Sequence, residues 1–248
     1  MFRWIAPMNT AMDESDVRAI VDSSLRILKR VPMTIDGTDE FFSYLSAFGC
    51  EIEGRKVTFP ESVIDRAMAR IEAQKQASPV EDTELSMDIE WSVSGQALLI
   101  ADTQTDELRP ATREDLALFS RVVESVPGLG RSHPTFIPQD VPLHTQELHA
   151  FATIILNSSK PYRVSMYSYR VLKPYLDILE VVCGSSDAAV KMARELHPSK
   201  VWVNTPMMIS RENIEAPMEL RRLTGQPLGF STMPVAGAAT PVTPAGAL

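Results

Sequence analysis

Cysteine is scarce in this 248-residue chain: Cys50 and Cys183 stand far apart, with no Cys-x-x-Cys or Cys/His spacing around either. That argues against a zinc knuckle or a disulfide framework and makes reducing cytoplasm the default compartment. Long apolar runs are missing too. Met1 to Asp13 holds no uninterrupted apolar core of the signal-peptide kind, and no later stretch reaches membrane-spanning length. The expectation is a soluble, cytoplasmic protein with no membrane partner. Positive charge is in deficit, with 24 Lys and Arg against 32 Asp and Glu, a net charge of −8 that no basic block offsets. Nucleic acid needs a basic face and is therefore not expected as a partner, whereas a cationic small molecule is compatible with this balance. Internal repeats and low-complexity segments are absent as well. What is present, 44% apolar and 23% charged residues, is ordinary globular material for one large or two small domains.

Residues 15–31 place Val17, Ile20, Val21, Ser24, Leu28 and Val31 on one helical face, and Thr38 to Phe48 repeats the pattern with Phe41, Tyr44, Leu45 and Phe48 before Gly49. Alternation around Gly54 and Arg55 reads as a hairpin. Pro60 and Glu61 then open a helix with Val63, Ile64, Ala67, Met68 and Ile71 on its apolar side. After a polar link at Ser78 to Thr83, Leu85 to Leu108 reads as β-structure with a hairpin tip at 103–106. Thr112 is an N-cap with Asp115 three residues on, starting a helix expected to bury Leu116, Phe119, Val122, Val123 and Val126 before Pro127 and Gly128 stop it. Residues 1–129 thus read as an α+β N-terminal region.

From Gly130 strand and helix alternate. Strands over Ser132–Ile137, Tyr162–Met166, Val201–Pro206 and Leu228–Met233 are separated by helices over Leu143–Leu156, Val171–Val182, Ser186–Leu196 and Asn213–Leu223. This rhythm argues for parallel strands joined by right-handed crossovers. A complete eight-stranded β/α barrel takes about 200 to 250 residues. The expected fold class is therefore α/β, with residues 130–248 forming a partial (β/α)8 barrel of about four units. The closing stretch from Gly237 reads as a strand-to-helix turn whose helix does not follow, so the chain is expected to be the front portion of a longer protein. Its strand at Leu228 would then be an open edge, and the piece alone poorly stable.

Reactive groups of β/α barrels sit at the carboxyl ends of the strands. Those positions hold His133, Thr135 and Asp140 after the first strand, and Tyr167 and Tyr169 after the second. Asn204 to Pro206 follow the third, and Met233, Gly237, Ala238, Thr240 and Thr243 the fourth. Several have plainer roles. His133 can shuttle a proton or serve the framework, and Asp140 can anchor a cation or satisfy backbone donors at a helix start. Asn204 can contact a ligand or tie down the turn at Thr205 and Pro206. The stretch from Gly237 to Gly246 lacks both the GxGxxG pattern and a P-loop lysine, which speaks against a nucleotide cradle.

Five segments carry a resemblance: Leu108 to Leu116, Gln139 to Pro142, Ser159 to Pro161, Asn204 to Met207 and, most specifically, Met233 to Gly246. In this order they resemble the trimethylamine methyltransferase family, over essentially the whole chain, and members of that family continue beyond its last residue. The resemblance implies a β/α barrel with an N-terminal extension. It implies transfer of a methyl group from trimethylamine or a related amine such as glycine betaine to the cobalt of a corrinoid. The corrinoid is carried by a separate corrinoid-binding protein, so no cofactor and no metal is bound directly. Substrate contacts are expected from His133, Asp140, Tyr167, Asn204, Met233, Gly237 and Thr240. Phe136, Tyr167, Tyr169, Trp202 and Phe230 are the aromatics near strand ends, and a desolvated aromatic face holds a quaternary ammonium with roughly 0.5 to 2 kcal/mol. No catalytic residue is assigned; pyrrolysine use, amine identity and self-association are left open. The rival reading is an inactive fragment or interaction module. An aldolase-like barrel would need a Schiff-base lysine, and Lys160 sits at the wrong end of its strand.

Overall fold

The structure, a computed structural model, describes residues 13–77, 91–93, 95–102, 104–160, 162, 168–196, 200–204, 206–232, 235, 237 and 240–243. In chain order the elements begin with α1 (Glu14–Arg30), β1 (Met33–Ile35), α2 (Asp39–Phe48), β2 (Glu51–Glu53), β3 (Lys56–Thr58) and α3 (Glu61–Ala77). Next come β4 (Trp91–Ser92), β5 (Leu99–Ala101), β6 (Leu108–Pro110), α4 (Arg113–Ser125), β7 (Leu129–Arg131) and α5 (Gln146–Asn157). The last are α6 (Leu172–Cys183), α7 (Ser186–Leu196), β8 (Lys200–Val203), β9 (Met208–Ile209), α8 (Glu212–Thr224) and β10 (Gly229–Thr232). They form two compact units, each assembled from separate stretches of chain. One unites Met1–Asp88, Val201–Ile214 and Phe230–Leu248; the other unites Ile89–Lys200 and Glu215–Gly229.

In the first unit, local chemistry sets the helix ends. Asp13 accepts from the Ser15 and Asp16 amides while Asp16 returns the bond to the Asp13 amide, a capping box that starts α1. Thr38 caps α2, and Gly49, at φ 96°, ends it in the left-handed region. The expected hairpin forms as β2 and β3, paired antiparallel with Ile52 opposite Val57 and turned at Gly54, φ 60°. β3 pairs antiparallel with β1, and β1 pairs parallel with β9, Ile35 beside Ile209. The resulting sheet runs β2-β3-β1-β9. Met33, Ile35, Val57 and Ile209 are buried with Phe41, Val63 and Ile64 from the helices. β8 and β10 form a separate two-stranded sheet.

The second unit is built on parallel neighbours. β4 lies parallel to β7, with Trp91 beside Leu129, and single parallel bridges join Ala97 to Phe136 and Ser132 to Tyr162. Gly95 is required where these segments meet, since a Cβ there would stand 2.6 Å from the Thr135 carbonyl oxygen. That oxygen accepts from the Gln96 and Ala97 amides at 2.9 Å each. A β5–β6 hairpin and α4 connect the first parallel segment to the second, and α5 follows the second. The main core gathers Phe151, Leu172, Tyr175, Leu179, Ala193 and Leu220; Leu116, Ala150 and Ile154 form a second cluster under Phe136 and Tyr162.

Three details differ from the sequence reading. Among the described residues of the second unit, parallel pairing begins at Trp91, ahead of the change of rhythm at Gly130, because Trp91 to Ala97 reaches the 129–136 segment across an intervening hairpin and helix. The expected strand over Ser132–Ile137 is reduced to isolated bridges at Ser132 and Phe136. On α4 the buried residues are Leu116, Ala117, Ser120 and Val123, whereas Val122 and Val126 are exposed. The helix is rolled toward α5, which takes up the 116-120-123 stripe. The whole is mixed α/β with open sheets.

Candidate functional site

Three of the five signature segments meet at helix α4. At its start Thr112 Oγ1 accepts from the Asp115 amide at 3.3 Å, and Asp115 Oδ2 accepts from the Thr112 amide at 2.8 Å. Arg109 grips the same carboxylate with two bonds of 2.7 Å each. This guanidinium, with Thr112, holds the Asp115 carboxyl well below the usual carboxylate range. Asp140 arrives from 27 residues downstream, its Oδ1 accepting from the Arg113 amide at 2.8 Å. Beside it the Gln139 amide donates to the Ala111 carbonyl at 2.7 Å. So Asp140 does satisfy backbone donors at a helix start, but those of α4 rather than of the helix that follows it.

The other end of α4 is closed by the segment at 158–160. Glu124 accepts from Ser158 Oγ at 2.8 Å, Ser159 Oγ at 2.7 Å and the Ser159 amide at 3.0 Å. These donors, Ser159 foremost, hold its carboxyl down to about 2. Lys160 Nζ donates to the carbonyls of Val123 and Val126, 2.6 Å each, and so caps the helix C-terminus. A lysine committed to two main-chain carbonyls is poorly suited to Schiff-base chemistry. Neither Arg109 nor Glu124 stood out in the sequence as more than a surface charge.

The remaining candidates are divided between the units. His133 is half-buried just beyond β7, between buried Ser132 and Pro134, and its carbonyl accepts from Thr135 Oγ1 at 3.3 Å. It belongs with Asp140 to the second unit, whereas Asn204, Gly237 and Thr240 belong to the first. Asn204 exchanges both main-chain bonds with Met208, at 2.6 and 3.0 Å, closing the turn at 204–208 in which Met207 takes φ 44°. Its side-chain oxygen accepts from Asn213 Nδ2 at 3.1 Å. Gly237, at φ 83°, donates its amide to the Thr240 carbonyl at 2.8 Å, so these two residues share one tight turn. Thr240 Oγ1 is buried with no hydrogen-bond partner among the described residues. Tyr167 and Met233 lie outside the described residues.

The first unit also encloses a cavity of about 400 Å³, walled by Leu25, Leu28, Phe41, Phe48, Phe59 and Phe230 among other apolar residues. Despite four aromatic rings it is a poor site for a cationic amine. No carboxylate lines it, and the Arg66 guanidinium already lies 4.1 Å from the Phe48 ring centroid. Cys50 in its wall has its thiol pushed up by burial, away from reactivity. Among the described residues no group of three His, Cys, Asp or Glu could hold a metal ion, and no helix is long and apolar enough to cross a membrane.

Comparison with known proteins accounts for the signature segments. The trimethylamine methyltransferase family model matches residues 2–248. Among curated relatives, the trimethylamine methyltransferase MttB of Desulfitobacterium hafniense is 27% identical over 154 residues. That stretch is 62% of this chain and 30% of the relative, so the chain matches less than a third of that protein's length. With five ordered segments, three of them fastened to one helix, and a match along nearly its entire length, the chain belongs to the trimethylamine methyltransferase family.

Proposed function

We propose that this chain serves the transfer of a methyl group from trimethylamine or a related methylated amine to the cobalt of a corrinoid carried by a partner protein. The observation that carries the reading is the family match over residues 2–248. In such a reaction the methyl carbon passes to the nucleophilic cobalt that a reduced corrinoid supplies, and the carbon–nitrogen bonding pair leaves with the amine. The protein's part is to orient the methyl–nitrogen bond and to keep the departing amine in place. The parallel order of the 91–97, 129–136 and 162 segments, with helices between, supports reading them as early units of a β/α barrel.

On this reading Asn204, Gly237 and Thr240 of the first unit take part in holding the amine, and Asp140, whose Oδ1 accepts from the Arg113 amide, fixes the segment that follows β7. The net charge of −8 favours approach of a cation. The test is methyl transfer from a panel of methylated amines to a corrinoid protein, using the longest natural polypeptide that contains this chain. Transfer from one donor class is expected, and Thr240→Val, which removes a hydroxyl at nearly constant volume, should lower kcat/KM for that donor by up to about a hundredfold. Absence of transfer with every donor overturns the reading in favour of an interaction module.

A further inference from the structure

Methyl transfer makes no use of the apolar cavity in the first unit. Every described residue that lines this space of about 400 Å³ is apolar. Native interiors pack as densely as organic crystals and hold few voids larger than a water molecule. Water cannot fill this one, because a buried water needs two to four polar partners and the described wall offers none. Left dry, the lining forfeits its dispersion contacts on one side. Its volume lies instead in the range of small-molecule sites, which take about 300 to 1,000 Å³.

Burial shows where the cavity opens. Ile35, Phe41, Ile64 and Ile209 are buried and form its floor, whereas Met68, Ile71 and Phe230 are 39%, 46% and 62% exposed although they line it. The mouth therefore lies on the side of α3 and β10. A charged group placed inside would lose its hydration with nothing in return, so the body of any occupant is apolar. A dry apolar cavity of about 150 Å³ already admits benzene, and 400 Å³ admits an alkyl chain of about eight to ten carbons.

Charge at the wall selects the head. Arg66 of α3 is exposed, and its guanidinium lies 4.1 Å from the ring centroid of Phe48, a wall residue. A Cβ at Gly49 would stand 3.5 Å from Arg66 Nη2, so the guanidinium also covers the turn that ends α2. Among the described residues no carboxylate pairs with Arg66, whereas Lys29 at the end of α1 is already held by Glu61 at 2.5 Å. A guanidinium stacked on a ring still presents its N–H fork to a carboxylate. We propose that this cavity binds a medium-chain alkanoate, with its alkyl chain among the apolar side chains and its carboxylate on Arg66.

The test is isothermal titration calorimetry of the longest natural polypeptide that contains this chain, using decanoate, 1-decanol and decyltrimethylammonium below their micelle concentrations. Its readout is binding alone and does not depend on methyl transfer. Decanoate should bind at one site, and decyltrimethylammonium at least about tenfold more weakly, or 1.4 kcal/mol. Arg66→Gln should weaken decanoate by a similar factor and leave decanol unchanged. Ala67→Phe, which places a ring in the cavity, should abolish binding of both. Arg66 is exposed, so far-UV circular dichroism of Arg66→Gln should match the native protein and separate lost binding from lost folding. No binding of decanoate up to about 1 mM, the weak end of specific affinity, overturns the proposal. So does full affinity in Arg66→Gln, a decanoate site that survives Ala67→Phe, or a preference for the quaternary ammonium.

Discussion

Gly95 and Glu124 show how single residues here act through the main chain they face. Adding a Cβ at Gly95 brings a carbon to within 2.6 Å of a backbone oxygen, which no side-chain rotation can relieve. Gly95→Ala should therefore push the 95–97 segment off Thr135 and cost about 1 to 3 kcal/mol, read from urea unfolding. Glu124 gives a pH signature. Its carboxyl titrates near 4.5 when unperturbed and at about 2 when held by the serines. A depressed folded-state value means that its contribution is complete above pH about 4.5 and is lost as pH falls through about 2. Unfolding midpoints of the native chain and of Glu124→Gln should thus differ at neutral pH and converge across that acidic window. A gap that persists unchanged at pH 2 would show that it does not arise from the ionised carboxylate held by the serines.

At the scale of elements, α4 is secured at both ends by segments that follow it in sequence. Asp140→Ala should free the Arg113 amide and weaken the helix start by about 1 kcal/mol, whereas Asp140→Asn, which keeps an acceptor oxygen, should retain most of that stability. Thermal unfolding of the two variants is the check; equal losses would mean that the side-chain oxygen is not the relevant atom. The N-cap itself was legible: Thr112 followed by Asp115 is a local pattern, and the structure places the cap there. Hairpin β2–β3 was legible for the same reason, through Gly54, and α7 was read at its observed bounds of Ser186 and Leu196. What could not be read was which acceptor reaches across 27 residues, or that Lys160 would spend its ammonium on Val123 and Val126. Such partners follow no period.

For the whole molecule, the discontinuity of the two units is the governing fact. β9 receives its neighbour from residues 33–35, and the 129–136 segment receives one from residues 91–97. Excising residues 130–248 removes both. That piece should unfold without a cooperative transition in urea, while the full chain should show one; a sharp transition in the excised piece would mean that these pairings are dispensable.

Helix starts and stops, the hairpin and the family signatures were determined by the sequence itself, because caps, turns and periodicity act over a few residues. The pairing of β1 with β9, the start of the parallel ladder at Trp91, the roll of α4 that exposes Val122 and the joining of Asp140 to a helix that precedes it were decided only by the tertiary structure. Each depends on which surface arrives from a distant part of the chain. Burial and long-range hydrogen bonds are properties of that encounter, and neither residue carries them alone.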